Sequence, residues 1–365
     1  MGLMSAPEQL RAWLRSMPKA ELHLHLDGSM RPATALELAR ERRQSVLDLP
    51  ASVAAMRDRL VAPDRCADQA ELLRAFDLPV ALLQDAEALE RVAAELVEDV
   101  AADGTAYAEV RWAPSLHTAR GLGLVEGIDA VLRGTGRAAA AHGVEVRLIA
   151  VALRTHDAAT AMEVARVALK RVAAGLTGFD IAGVEQATPD PTVFGAAVEI
   201  ARQGGLGITC HAGEWGGAAQ VWRALELRPW RIAHGAPAAD DPELMAELRE
   251  RDVTLDLCPT SNLQAGIGSL GRDAPLPRLL RAGVPVTINT DDRTVSDLTL
   301  VEELVRAIGL LGLTPAEVAR ATRQAYAAAF LQHDEPLRAL LEHGFETWLA
   351  EHPAPGPTPL PADGA

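Results

Sequence analysis

Eight short segments in which apolar residues run together or alternate with polar ones recur along the chain, each followed by turn residues and then by helical spacing. They are Ala20–Asp27, Tyr107–Pro114, Val146–Leu153, Phe179–Glu185, Gly207–Glu214, Arg231–Gly235, Val253–Asn262 and Pro285–Asp292. Stretches such as Ala86–Ala102 and Ala158–Ala174 lie between them and carry apolar residues at helical spacing. Strands that alternate with helices predict parallel βαβ units, and eight of them predict a closed (β/α)8 TIM barrel. About 80 residues separate the first strand from the second, more than one crossover helix requires. Residues Arg31–Leu96 therefore read as several helices, Glu71–Asp77 among them, forming a lid over the barrel. The barrel is expected to occupy residues 1–350 as a single domain. The Pro- and Gly-rich stretch 353–365 is expected to be disordered.

Composition narrows the partners. Fifty acidic residues face 35 basic ones, giving a net charge of -15, and no Lys/Arg block forms a phosphate-binding stripe. Nucleic acid is thereby a poor partner, and a small neutral or cationic molecule fits better. No uninterrupted apolar run is long enough to span a bilayer. Met1–Lys19 lacks the apolar core of a signal peptide, and Ala6 breaks the myristoylation pattern that a Met-Gly start would open. Cys66, Cys210 and Cys258 are too few and too scattered for a disulfide framework. A cytoplasmic protein with reduced thiols, away from the membrane, is the expectation.

Polar residues gather where the strands end, and in a TIM barrel the C-terminal strand ends carry the chemistry. The first strand closes with His23 and His25, then Asp27. Residues two apart on a strand face the same way, so both imidazoles can enter the barrel together. The fifth strand closes with His211 and Glu214, the sixth with His234 and the eighth with Asp291 and Asp292. Singly, each histidine suits a hydrogen-bonded core position, and an Asp pair suits a helix cap. Their coincidence at separate strand ends favours a metal site, because three imidazoles and a carboxylate suit zinc with room for a water. The fourth strand holds no Lys to bridge two metals, which favours a mononuclear site. The absence of Cys-x-x-Cys removes the cytidine-deaminase type of zinc site.

From Pro18 to about Leu340 the chain resembles the adenosine deaminase family of amidohydrolase barrels. The stretches that carry the likeness are Pro18–Gly28, Tyr107–Pro114, Phe179–Gly183, His211–Glu214, His234–Gly235, Thr260–Asn262 and Asn289–Asp292. By that resemblance His23, His25, His211 and Asp291 hold one Zn2+ per chain. Glu214, His234 and Asp291 then form the catalytic set: Glu214 protonates ring nitrogen 1 and His234 orients the attacking water. Asp292 is expected at ring nitrogen 7, the Gly183 backbone at ring nitrogen 3, and Asp27 at the 5′ side of the ribose. Leu72, Leu73 and Phe76 fall where the family's apolar lid covers the base, although their spacing suits core packing too. The implied substrate is a purine nucleoside, adenosine or 2′-deoxyadenosine, converted to inosine or 2′-deoxyinosine and ammonia.

The chain departs from the family pattern near the substrate. Arg293 follows Asp292 where Pro is common, Val184-Glu185 replaces an acidic pair, and Ala113 replaces a common Ser. Arg293, Arg154, His156 and Arg111 would make a cationic edge able to read a carboxylate on a 5′ substituent. Such an edge suits deamination of 6-amino-6-deoxyfutalosine in menaquinone synthesis as the alternative substrate. Arg293 could instead pair with Asp297 four residues on. A catalytically silent binding barrel is a third reading, and the completeness of the metal and proton-transfer set argues against it.

Overall fold

The computed structural model describes residues 6–42 and 49–356. Eight parallel strands follow one another around a single sheet in chain order. They are β1 (Lys19–His25), β2 (Thr105–Trp112), β3 (Glu145–Leu153), β4 (Leu176–Ala182), β5 (Gly207–Ala212), β6 (Arg231–His234), β7 (Thr254–Leu257) and β8 (Val286–Ile288). Every residue of β4 to β8 is buried, which is why these segments read as apolar runs rather than strict alternation. The last seam between β8 and β1 closes through a parallel bridge at Leu24 and Asp291. The expected TIM barrel is the fold found.

Two devices shape the barrel interior. At its base the Phe330 ring fills the space beside Gly178 and Gly207, where a Cβ would come within 2.6 and 2.3 Å of it. Higher up, a buried ionic layer joins Arg231 to Glu109 and Asp256, and Arg111 to Asp180. Each guanidinium meets carboxylates, as charges fully withdrawn from water require.

Among the described residues six α-helices precede β3: α1 (Ala6–Ser16), α2 (Pro32–Glu41), α3 (Val53–Leu60), α4 (Gln69–Leu82), α5 (Ala86–Ala102) and α6 (Leu124–His142). Asp68 and Asp85 start α4 and α5 by accepting from the amides of Glu71 and Ala88. The stretch 31–96, expected to form a lid, includes much of α5. Helix α5 packs on α6 and β2 as part of the barrel's outer ring, burying Leu89, Val92, Leu96, Val97 and Val100. Gly134 of α6 permits the contact, since a Cβ there would lie 2.2 Å from the Glu90 carbonyl oxygen. The insertion proper comprises α2, α3 and α4.

The seventh strand ends five residues sooner than its pattern suggests. Pro259 occupies the first turn of a short helix, Pro259–Gln264, so Thr260–Asn262 sits on that helix. No helix among the described residues is long and apolar enough to cross a membrane. Residues 1–5 and most of the expected tail, 357–365, lie outside the described residues, as do residues 43–48 of the insertion.

Candidate active site

The alternation of β1 brings the Nε2 atoms of His23 and His25 to 3.2 Å from each other. His211, at the end of β5, places its Nε2 3.3 Å from that of His25. Asp291 Oδ1 lies 2.9 Å from His23 Nε2 and 3.3 Å from His25 Nε2. One ligand atom from each of the four residues falls within 4.8 Å of all the others. Bonds of about 2.0–2.1 Å to a tetrahedral zinc imply ligand-to-ligand edges of about 3.3 Å, so the donor set fits that ion. Asp291 Oδ1 is also buried without a hydrogen bond of its own, as an oxygen directed at a cation would be. Burial, reinforced by Arg111, holds His23 well below the ordinary imidazole pKa, and burial lowers His211 to about 4. Both imidazoles are therefore neutral and able to ligate. Cys258 is close to His234 and Asp291, but burial drives its thiol upward, away from the thiolate a metal would take.

The four residues of the donor set are held from behind. Asp180 Oδ2 on β4 lies 2.9 Å from His211 Nδ1 and 2.9 Å from Arg111 Nη1. Burial would raise the Asp180 carboxyl, but His211 and Arg111 outweigh it and keep the group ionised. Arg154 Nη2 donates to the His211 carbonyl at 2.9 Å. Ser261 Oγ donates to Asp291 Oδ2 at 2.7 Å. Around Asp291 the β1 and β8 backbones interlock: the His25 amide donates to the Asp291 carbonyl at 2.7 Å, and the Asp291 amide to the His23 carbonyl at 3.1 Å. Asp291 and His234 both adopt left-handed backbone, at φ 65° and 66°, a conformation uncommon for such residues and concentrated at functional sites.

Beside this donor set stand His234 and Glu214. His234 Nδ1 pairs with Asn262 Oδ1 at 3.0 Å, which directs Nε2 toward Asp291 Oδ2 at 3.7 Å and Glu214 Oε1 at 4.0 Å. Burial raises the Glu214 carboxyl to about 7 against the pull of His234. Glu185 holds the loop that carries Glu214. Its carboxylate accepts from the amides of Glu214 at 3.3 Å and Trp215 at 2.9 Å, and from that of Gly216.

These groups open into one cavity. Gln69, Leu72, Leu73, Phe76 and Val80 of α4 line one side, with Ala113, Leu116, Val151, Leu153, Ala182 and Gly183 opposite. His25, Asp27, His211, Glu214, His234, Asp291 and Asp292 supply the titratable lining, and no Lys or Arg joins them among the described residues. Asp27 and Asp292 each bury an Oδ1 without a partner. Burial, with the nearby charges of Asp291 and Asp27, raises the Asp292 carboxyl well above its usual range. Gly28 is required here, because a Cβ would fall 1.7 Å from Asp292 Oδ1.

A sequence profile described as adenosine deaminase matches residues 18–343. An adenosine deaminase from Enterococcus faecalis is 40% identical over 323 residues, covering 88% of this chain and 94% of that protein. The chain belongs to the adenosine deaminase family. Among solved structures, an amidohydrolase from Burkholderia ambifaria with bound Zn superposes at a TM-score of 0.81 and 25% identity, covering 96% of each chain. The N6-methyl-AMP deaminase from Arabidopsis thaliana superposes at 0.82 and 28% identity, covering 94% of this chain and 100% of the other.

Of the residues singled out from the sequence, the fold gathers His23, His25, Asp27, Leu72, Leu73, Phe76, Gly183, His211, Glu214, His234, Asp291 and Asp292 at one place. It does not gather the expected cationic edge. Arg293 is buried and directed at Glu21 and Asp103 rather than at the cavity, because only there do carboxylates compensate its charge. It does not pair with Asp297 either, which binds Arg57 instead. Arg111 is committed to Asp180, and Arg154 to the carbonyls of Thr188 and His211. His156 pairs with Ser115. Asp180, Glu185, Ser261 and Asn262 contact these residues directly, and sequence reasoning gave them no role. Asp180 shares a β4 face with Ala182 in the cavity wall, and that period of two was the available signal.

Proposed function

We propose that this chain catalyses the zinc-dependent hydrolytic deamination of adenosine and 2′-deoxyadenosine, exchanging the 6-amino group for oxygen and releasing ammonia. The observation that carries the proposal is the buried Glu214, raised to about 7, standing beside a four-residue metal set in an apolar cavity. One Zn2+ held by His23, His25, His211 and Asp291 would supply a water whose pKa is lowered toward neutrality.

The chain's own residues account for the remaining chemistry. Glu214 carries a proton near neutral pH and delivers it to ring nitrogen 1, which makes carbon 6 electrophilic. His234 Nε2, between Glu214 and Asp291, orients the water and takes its proton. Asp292, protonated because it is buried among other carboxylates, donates to ring nitrogen 7. Gly183, in left-handed backbone at φ 95°, presents its amide to ring nitrogen 3. Asp27 accepts from a ribose hydroxyl. Leu72, Leu73 and Phe76 of α4 cover the base as a lid and exclude water.

The lining favours a nucleoside over a charged derivative. The cationic edge that would have read a 5′ carboxylate is buried elsewhere, which weakens the case for 6-amino-6-deoxyfutalosine. A silent binding barrel has no use for a protonated Glu214 beside a complete ligand set. Turnover in isotopically labelled water tests the chemistry: the label should appear at carbon 6 of inosine, one atom per ammonia released. Unlabelled inosine, or no inosine, would refute hydrolysis at this site.

A further inference from the structure

The turn that carries Asp291 and Asp292 requires an external restraint. Strand β8 is only three residues long, and the chain leaves it through Asn289-Thr290-Asp291-Asp292-Arg293, with Asp291 in left-handed backbone. A non-glycine residue holds that conformation only where its surroundings dictate it. Glu21 supplies a restraint from the outer side of the barrel wall. A register irregularity between Glu21 and Leu24 sets Glu21 beside Ala108 and His25 beside Arg111, on opposite faces of β1, and the Glu21 carboxylate is fully buried. Oε1 accepts from the Thr290 amide at 3.1 Å and from the Thr290 hydroxyl. Oε2 accepts from Arg293 Nη2 at 2.5 Å. One carboxylate therefore grips the chain on both sides of the Asp291–Asp292 pair.

Arg293 completes the clamp. Its guanidinium also reaches Asp103 Oδ2 at 3.4 Å and the Asp99 carbonyl at 3.4 Å, which ties the turn to the end of α5. Its amide donates to Ser29 Oγ at 3.2 Å, and the Thr294 and Val295 amides donate to the Gly28 carbonyl, on the segment against which Asp292 packs. Burial would lower the Arg293 pKa, but Glu21 and Asp103 more than offset it, and the cation persists.

We propose that Arg293 is a positioning residue: through Glu21 it fixes the turn that presents Asp291 to the metal and Asp292 to the purine. The inference rests on the functional reading above for the role of Asp292, but its metal arm does not depend on turnover. A single ion pair on the surface would contribute little; this one is desolvated, multiply bonded and directly flanks a ligand. Partners one step behind the ligands of a metal site affect metal retention and rate by about 10–100-fold.

Two variants separate positioning from bulk stability. Arg293→Lys keeps the charge and loses the fork, and Glu21→Gln combined with Arg293→Met removes both charges so that neither is left unpaired. Zinc release from the loaded protein into a chelator is followed well below the melting temperature, together with kcat and KM for adenosine. Phe345→Ala, in the core of the C-terminal helix, serves as a destabilised control. The clamp predicts zinc release at least about 10-fold faster and a kcat at least about 10-fold lower in both clamp variants, with parental release in the control. Clamp variants that release zinc no faster than the parent, or no faster than a control of equal melting temperature, would overturn the proposal. A parent that binds zinc but leaves adenosine untouched would refute the functional reading alone, and zinc release would still decide the clamp.

Discussion

Asp180 Oδ2 lies 2.9 Å from His211 Nδ1 and, on its other side, 2.9 Å from Arg111 Nη1. The carboxylate sets the tautomer and plane of His211, and the arginine keeps the carboxylate ionised. Asp180→Asn preserves shape but removes the charge. It should weaken zinc binding by about 10–100-fold, measured by competition with a chelator, while the fold and the cavity persist. Parental zinc affinity in this variant would show that Asp180 serves the barrel's ionic layer alone.

Glu214 gives a pH dependence with a definite sign. Its carboxyl is raised to about 7 by burial, and the protonated form is the one that acts as an acid. Activity is therefore present below that value and declines as pH rises through it. The profile of kcat/KM for adenosine should show an alkaline limb assigned to this group. Glu214→Gln should lose about 10²–10⁴-fold in kcat with zinc content unchanged. A variant retaining parental kcat would remove Glu214 from the chemistry.

Glu185 acts at one remove. Its carboxylate collects the amides of Glu214, Trp215 and Gly216, so it fixes where the acid points without touching the metal set. Glu185→Ala should lower kcat by up to roughly 100-fold, the scale of an ångström-sized displacement of a catalytic group. Metal content should remain parental. Equal losses of zinc and kcat would place Glu185 in general loop stability instead.

The cavity's charge predicts its substrate class. Asp27, Asp292 and Glu214 line it with no accompanying Lys or Arg among the described residues, and in the adjoining apolar chamber beside Gly183 the one cation among the described lining residues is the exposed Arg120. A 5′-phosphate would find no Lys or Arg among the described lining residues to offset its charge, and an uncompensated charge is costly to withdraw from water. The value of kcat/KM for adenosine should exceed that for AMP by roughly 100-fold or more. Comparable values would mean that a cation reaches the ribose end of the site.

The strand-end motifs were legible because periodicity and chemistry coincided there. His23 and His25 two apart on a strand, and polar residues closing β5, β6 and β8, are local patterns that survive translation into three dimensions. Arg293 was not legible. Its position next to Asp292 suggested the substrate rim, but the partners that decide its direction, Glu21 and Asp103, lie 272 and 190 residues away in the chain. The same holds for Asp180 and Glu185, whose roles appear only when β4 is laid beside β5. The side on which α5 packs is not legible in the sequence, because its apolar stripe reads alike whether it faces a lid or the barrel wall.

The most direct test of the central claim is steady-state turnover of a nucleoside panel by the zinc-loaded protein, followed by loss of the aminopurine absorbance. The panel holds adenosine, 2′-deoxyadenosine, adenine, AMP and 6-amino-6-deoxyfutalosine. The predicted result is conversion of adenosine and 2′-deoxyadenosine to inosine and 2′-deoxyinosine with the highest kcat/KM of the set. No loss of absorbance with adenosine, or a strong preference for the benzoate-bearing nucleoside, would contradict it.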